Sequence, residues 1–132
     1  MMENGLMEER VERVRNFLCG YQICVDMLQL RRRERKRKTK FDEEFVSDFP
    51  SDADEVLWRT RMFEVKTLID RMKNGREKLM LYYHYVRGES VEHVANMLGF
   101  SRRTGYRVHQ KALQSAALLF DLPEKNGFYA RV

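Results

Sequence analysis

The chain is 132 residues long, enough for one domain, or one small domain with an extension. Apolar residues at 43% can build a core, while 34% charged residues exceed the usual share and suit long amphipathic helices. Seven Gly, two Pro and two Cys exclude a disulfide scaffold and any series of short strands, and no apolar run of the roughly 18 residues a membrane span needs is present.

The net charge of +5 conceals a pattern: residues 31–40 carry eight basic and one acidic side chain, 41–55 carry seven acidic and none basic, and 56–132 carry fourteen basic and seven acidic. Basic ends around an acidic middle point to a polyanionic partner. The expected setting is cytoplasmic and reducing, with Cys19 and Cys24 as free thiols. The expected fold is all-α.

The first element is a long amphipathic helix with a basic end, over residues 1–38. Met7, Val11, Val14, Leu18, Tyr21, Val25 and Leu28 follow unbroken 4-3 spacing, a three-heptad seam. Phe17, Ile23, Cys24 and Met27 widen the apolar surface, so the helix packs against more than one neighbour or adds a dimer core. Gly20 weakens it by about 1 kcal/mol relative to Ala and leaves room for a close crossing. The run 31–38 continues the helix. It reads as a phosphate-contacting arm, with a dipole-stabilised helix end or pairing to the acidic stretch as the alternatives.

Residues 39–53 read as an acidic linker, with Phe41, Phe45 and Phe49 spaced to form a helical turn that docks on the body. A second long helix follows, within 54–74. Trp58, Met62, Val65, Ile69 and Met72 repeat the 4-3 spacing, with Leu57, Phe63 and Leu68 alongside. Two such seams across a loop predict an antiparallel helical pair, with a parallel dimer of the first helix as the runner-up. Asn74-Gly75 is expected to stop the second helix.

Residues 75–120 read as one small domain. Its first helix, 76–86, offers Leu79, Met80, Tyr82, Tyr83 and Val86 as a floor, and Arg87-Gly88-Glu89 turns the chain. Residues 90–113 then read as a helix-turn-helix. Val91, Val94, Ala95 and Leu98 make one apolar face, Ser90 caps it, and Gly99 ends it in the left-handed conformation open to glycine. Phe100 plugs the corner and Ser101 caps the next helix, which runs to Phe120. The tail, 121–132, holds Pro123 and an Asn-Gly pair and is expected to fray.

The second helix of the motif has two faces. Gly105, Val108 and Ala112 point inward; Arg102, Arg103, Tyr106, Arg107 and Gln110 point outward, and 99–113 contains no acidic residue. Such a face suits the major groove of double-stranded DNA, where Arg forks to guanine and Gln bridges adenine. Arg103 and Arg107 are the central candidates for base edges, and Ser101, Thr104 and Lys111 are candidates for phosphate contacts. A solvated surface helix is the plain alternative for the same pattern.

His84, His93 and His109 share no i,i+4 pairing, the cysteines lie elsewhere, and no phosphate-cradling glycine loop occurs. Neither a metal, a cofactor nor enzyme activity is expected. His93 reads as a partly exposed side chain. His109 borders the outward face, within reach of a phosphate.

Residues 76–113 resemble the −35-reading region 4 of bacterial sigma factors, through R-E-K-L-M-L-Y-Y-H-Y-V-R-G-E-S and V-E-H-V-A-N-M-L-G-F-S-R-R-T. The whole chain looks like the ArpU/RinA-like phage transcriptional regulators, whose L-G-[aromatic]-S-x-x-T-x-Y-R is Leu98-Gly99-Phe100-Ser101-Arg102-Arg103-Thr104-Gly105-Tyr106-Arg107 here. Tyr21 matches an aromatic near the middle of their helical N-terminal region. The resemblance implies sequence-specific binding of phage promoter DNA and activation of late or regulatory genes in the cytoplasm of a bacterial host. Host RNA polymerase or a sigma factor would be a partner, and a homodimer is compatible with it. Gly105 departs from the pattern, because such motifs place an apolar or aromatic side chain there. Being inward, it either weakens the helix or permits closer packing. A small-terminase-like DNA-packaging subunit and a module that binds sigma factor or polymerase without DNA are the competing functions.

Overall fold

The computed structural model describes residues 2–40 and 52–120. The docking turn expected around Phe41, Phe45 and Phe49 and the tail beyond Phe120 lie outside the described residues. What is described is helical, with no strand: α1 (Met2–Lys40), α2 (Asp52–Asp70), α3 (Gly75–Leu81) extended by a wide turn (Tyr82–Val86), α4 (Val91–Met97) and α5 (Arg102–Phe120). No helix of the described residues is long and apolar enough to cross a membrane.

The seam of α1 forms as its spacing requires. Val11, Val14, Leu18, Tyr21 and Leu28 are buried, and Cys24 replaces half-buried Val25 as the helix turns between neighbours. α2 runs antiparallel to it, since Arg31 meets Glu55 at one end and Lys66 lies over the Tyr21 ring further along. α5 packs on α1 as well, with Phe17 and Phe120 rings 4.9 Å apart. The core joins Val14 and Leu18 to Val65 and Leu68 of α2, Leu81 and Tyr85 after them, and Leu113, Ala116 and Ala117 of α5. Burying each large apolar side chain in it contributes about 1.5–3 kcal/mol. The first helix therefore meets more than one neighbour, and its seam is filled from within the chain.

Several details differ from the spacing argument. Leu57 and Phe63 face solvent, while Glu64 lies inside at 6% exposure. Burial raises the Glu64 carboxyl, with Arg61 acting against the shift. The arc that α2 buries is set by two sides at once, α1 and the α3–α5 region, and this draws position 64 inward. Ile23 is exposed rather than widening the core, and a Cβ at Gly20 would meet no atom within 4 Å, so no close crossing uses it.

Asn74-Gly75 does not stop α2. α2 ends at Asp70, its last turn tightening as Met72 N–H donates to the Ile69 carbonyl. Asn74 instead starts α3: its side chain accepts from the backbone N–H of Arg76 and Glu77 at 3.1 and 3.2 Å. An Asn oxygen serves an N-cap as readily as its backbone serves a stop, and a chain reversal made by Lys73 and Asn74 leaves orphan N–H groups ahead of it, not carbonyls behind it. Buried Glu77 then accepts from the Ser115 hydroxyl at 2.6 Å, tying α3 to α5.

Nor is the third helix regular to Val86. After Leu81 it widens to one π-type turn, closed by Arg87 N–H on the Tyr82 carbonyl. The extra residue turns Tyr85 and Val86 into the core together. Their carbonyls both accept from the Gln22 amide of α1, at 3.3 and 2.8 Å. An irregular turn leaves carbonyls without helical partners, and a neighbouring amide supplies them.

Candidate nucleic-acid interface

The corner between α4 and α5 is built by local chemistry. Ser90 caps α4 by accepting from His93 N–H. At the other end Gly99 takes φ +79°, Gly99 N–H donates to Asn96 and Phe100 N–H donates to Ala95. These paired bonds form a Schellman stop, which wants glycine at the left-handed position. Phe100 is half-buried beneath the Arg76 guanidinium, 5.4 Å from its ring centre. Ser101 caps α5, accepting from Thr104 N–H at 3.2 Å and donating to the Thr104 hydroxyl at 3.0 Å.

The crossing is closed by two small residues. Gly105 is buried, and a Cβ built on it would collide with the Ala95 methyl. Of the two outcomes expected for glycine here, closer packing is the one realised. Below the corner, Met80 of α3 fills the space against Val91 and Val94, with Val108 packed alongside.

This fixes the rotation of α5. Inward go Gly105, Ala112, Leu113, Ala116 and Ala117. Outward go Arg102, Arg103, Tyr106, Arg107, Gln110 and Lys111, all exposed, with Ser101 exposed and Thr104 half-buried at the start. The outward residues form two rows at four-residue intervals, Arg102-Tyr106-Gln110 and Arg103-Arg107-Lys111, which lie side by side on the helix surface. All eight residues singled out in the sequence thus lie on or beside one side of one helix.

Two features escaped the sequence. The first is Glu92, which α4 brings beside the outward face. Its Oε1 accepts from Arg102 Nε at 3.1 Å and from the Tyr106 hydroxyl at 3.0 Å. An absence of acids within α5 is therefore not an absence of acids beside it.

The second is His109, which turns away from the outward face toward Tyr85. It is half-buried, and its Nε2 shares a hydrogen bond of 2.8 Å with the Tyr85 hydroxyl. Burial and the neighbouring His84, with Arg15 beyond it, lower its pKa to about 4. Tyr85 is pushed up to about 12, mainly by burial. The correction follows from the wide turn, which places the Tyr85 hydroxyl where 109 can meet it. His84 completes the cluster by donating from Nδ1 to the Glu89 carbonyl at 2.6 Å. Among the described residues no group of three or more His, Cys, Asp or Glu could hold a metal ion.

The basic end of α1 lies elsewhere. α5 runs alongside α1 in the same sense, since Met7 and Val11 line one cleft with Gln110 and Gln114 while Phe17 lies level with Phe120. At about 1.5 Å per residue, Arg35 and Arg103 therefore extend in opposite directions from that level. Arg31 and Arg35 both reach Glu55, at 2.9 and 2.8 Å, and this arginine-rich surroundings lowers the Glu55 carboxyl, Arg59 contributing first through a hydrogen bond. Pairing with the acidic stretch is thus realised at its last residue.

A family model described as "Protein of unknown function (DUF1492)" matches residues 45–117, which take in α2, α3, α4 and most of α5. No curated protein and no solved structure matches the chain.

Proposed function

We propose that this chain, which belongs to the DUF1492 family, is a sequence-specific DNA-binding transcriptional regulator that reads the major groove with the first three turns of α5. One observation carries the reading. A rigid corner presents two rows of exposed residues, Arg102-Tyr106-Gln110 and Arg103-Arg107-Lys111, whose chemistry is that of base-edge and phosphate recognition. Arg103 and Arg107 contact base edges. Ser101, Thr104 and Lys111 meet phosphates at the groove's rim, and the Ser101 and Thr104 hydroxyls do so while still serving the helix cap. The resemblance to sigma region 4 and to ArpU/RinA-like phage regulators supports the same reading and adds activation through host RNA polymerase or its sigma factor. Because the seam of α1 is filled by α2 and α5, a homodimer on DNA would use other surfaces.

Selection of bound duplexes from random-sequence DNA tests the proposal, followed by titration at several salt concentrations. The expected result is a defined site and a steep loss of affinity with salt. No binding to any duplex at low salt would defeat it and leave a protein-interaction module. A ring of eight or more copies in solution would favour the packaging function instead.

A further inference from the structure

Glu92 is the one acidic side chain from α4 seen in contact with the outward face of α5. A single oxygen, Oε1, accepts from Arg102 Nε at 3.1 Å and from the Tyr106 hydroxyl at 3.0 Å. The Arg102 guanidinium also sits 6.0 Å from the centre of the Tyr106 ring, so the three side chains close a triangle across two helices. None of the three is held by burial, since Arg102 and Glu92 are 74% and 48% exposed and Tyr106 is exposed too. An exposed ion pair adds little to folding. Its consequence is for what the surface binds.

Two effects follow from a carboxylate in this place. It keeps Arg102 off the phosphates, because a phosphate oxygen must compete with Oε1 for the same guanidinium. It also gives the Tyr106 hydroxyl a partner on α4, which biases where the ring lies on the outward face. Both effects act against indiscriminate electrostatic binding, which supplies affinity without sequence information.

We propose that Glu92 is a specificity-determining residue: it restrains Arg102 and positions Tyr106, lowering affinity for DNA at large while sharpening the choice of site. This rests on the DNA-binding reading of α5.

Two variants, Glu92→Ala and Glu92→Gln, separate its charge from its hydrogen bonding. Both lose the negative charge, and both are expected to bind random-sequence duplex roughly threefold to tenfold more tightly at low salt, with the log–log salt slope steeper by about 0.9, one phosphate contact. Site-over-random discrimination, measured on the selected sequence, falls roughly tenfold in Glu92→Ala. Glu92→Gln, whose amide oxygen still accepts from Tyr106, retains more of it. Helical signal and melting temperature stay at wild-type values in both. If the wild-type chain binds duplex and both variants match it in salt slope and discrimination, the role given to Glu92 is overturned while the DNA reading stands. If the wild-type chain binds no duplex, the DNA reading and this role fall together.

Discussion

The molecule has two basic regions, and they are built in opposite ways. At the end of α1 the positive charge is dense in sequence, yet Arg31 and Arg35 both turn to Glu55, with Arg59 on the same carboxylate. On α5 the charge is sparser, but the corner orients it: Arg103, Arg107 and Lys111 fall in one exposed row beside a row that contains Gln110 and Tyr106. Charge density by itself marks a polyelectrolyte. Charge held at fixed spacing on a rigid helix, with hydrogen-bonding side chains interleaved, is what can read a groove.

The largest way to break this contrast is to open the corner. Gly105→Ala would ordinarily gain up to about 1 kcal/mol of helix propensity. Here the added methyl meets Ala95, and overpacking of about 1–3 kcal/mol outweighs the gain. The variant is expected to melt lower and to lose site-specific binding. Adding Ala95→Gly, which removes the opposing methyl, should recover part of both losses; no recovery would show that the contact is not the cause.

Next comes the outward face of α5, the proposed reading surface. Arg103→Ala is expected to weaken binding at the selected site by about 1–3 kcal/mol, relax the preference at one base pair and leave the fold intact. Unchanged affinity and preference would remove Arg103 from the base-reading set.

The joint between the two ends is Tyr85 and His109. Tyr85→Phe leaves His109 Nε2 without its hydroxyl partner, at a cost of about 1–3 kcal/mol. The pH dependence has a definite sign. The folded-state pKa of His109 is about 4 against an ordinary 6.5, so between those values the unfolded chain binds more protons. Its contribution is fully present above pH 6.5 and is lost as pH falls toward 4. Melting measured across that window should fall with acid, and His109→Gln should flatten the slope; an equal slope in both would assign the acid sensitivity to other groups.

The smallest effect is expected at the end of α1. Glu55→Gln removes the charge shared by buried Arg31 and exposed Arg35 and Arg59 but keeps an amide oxygen that can accept from them, so melting should fall only slightly. It takes one negative charge away from beside exposed Arg35, so binding to random duplex should strengthen with no change in site preference. A changed preference would mean that the two basic regions act on one stretch of DNA.

How much of this was legible depends on the range of the interactions. The seam of α1, the Ser90 and Ser101 caps, the Gly99 stop and the inward Gly105 all rest on contacts within a turn or two, and the residue types report them. Asn74-Gly75 was ambiguous for a local reason, since Asn can serve either end of a helix, and only the direction of the orphan backbone groups resolved it. The wide turn at 82–86 left no local trace, because its carbonyls are satisfied by Gln22, some sixty residues away. His109 was misplaced for the same reason: its partner, Tyr85, reaches it only because of that turn.

The sequence alone determined where helices form, most of the buried seam of α1 and the polar face of α5, because helical periodicity and capping are short-range rules. Tertiary structure decided which of the charges are spoken for. It set α2 antiparallel to α1 so that Glu55 meets the basic run, turned half-buried His109 onto Tyr85, and carried Glu92 across the corner onto Arg102 and Tyr106. Pairing between side chains on different helices depends on how the axes cross, and no local rule encodes that angle. The outward face of α5 reads as free of acids in the sequence, and among the described residues the fold brings Glu92 onto it.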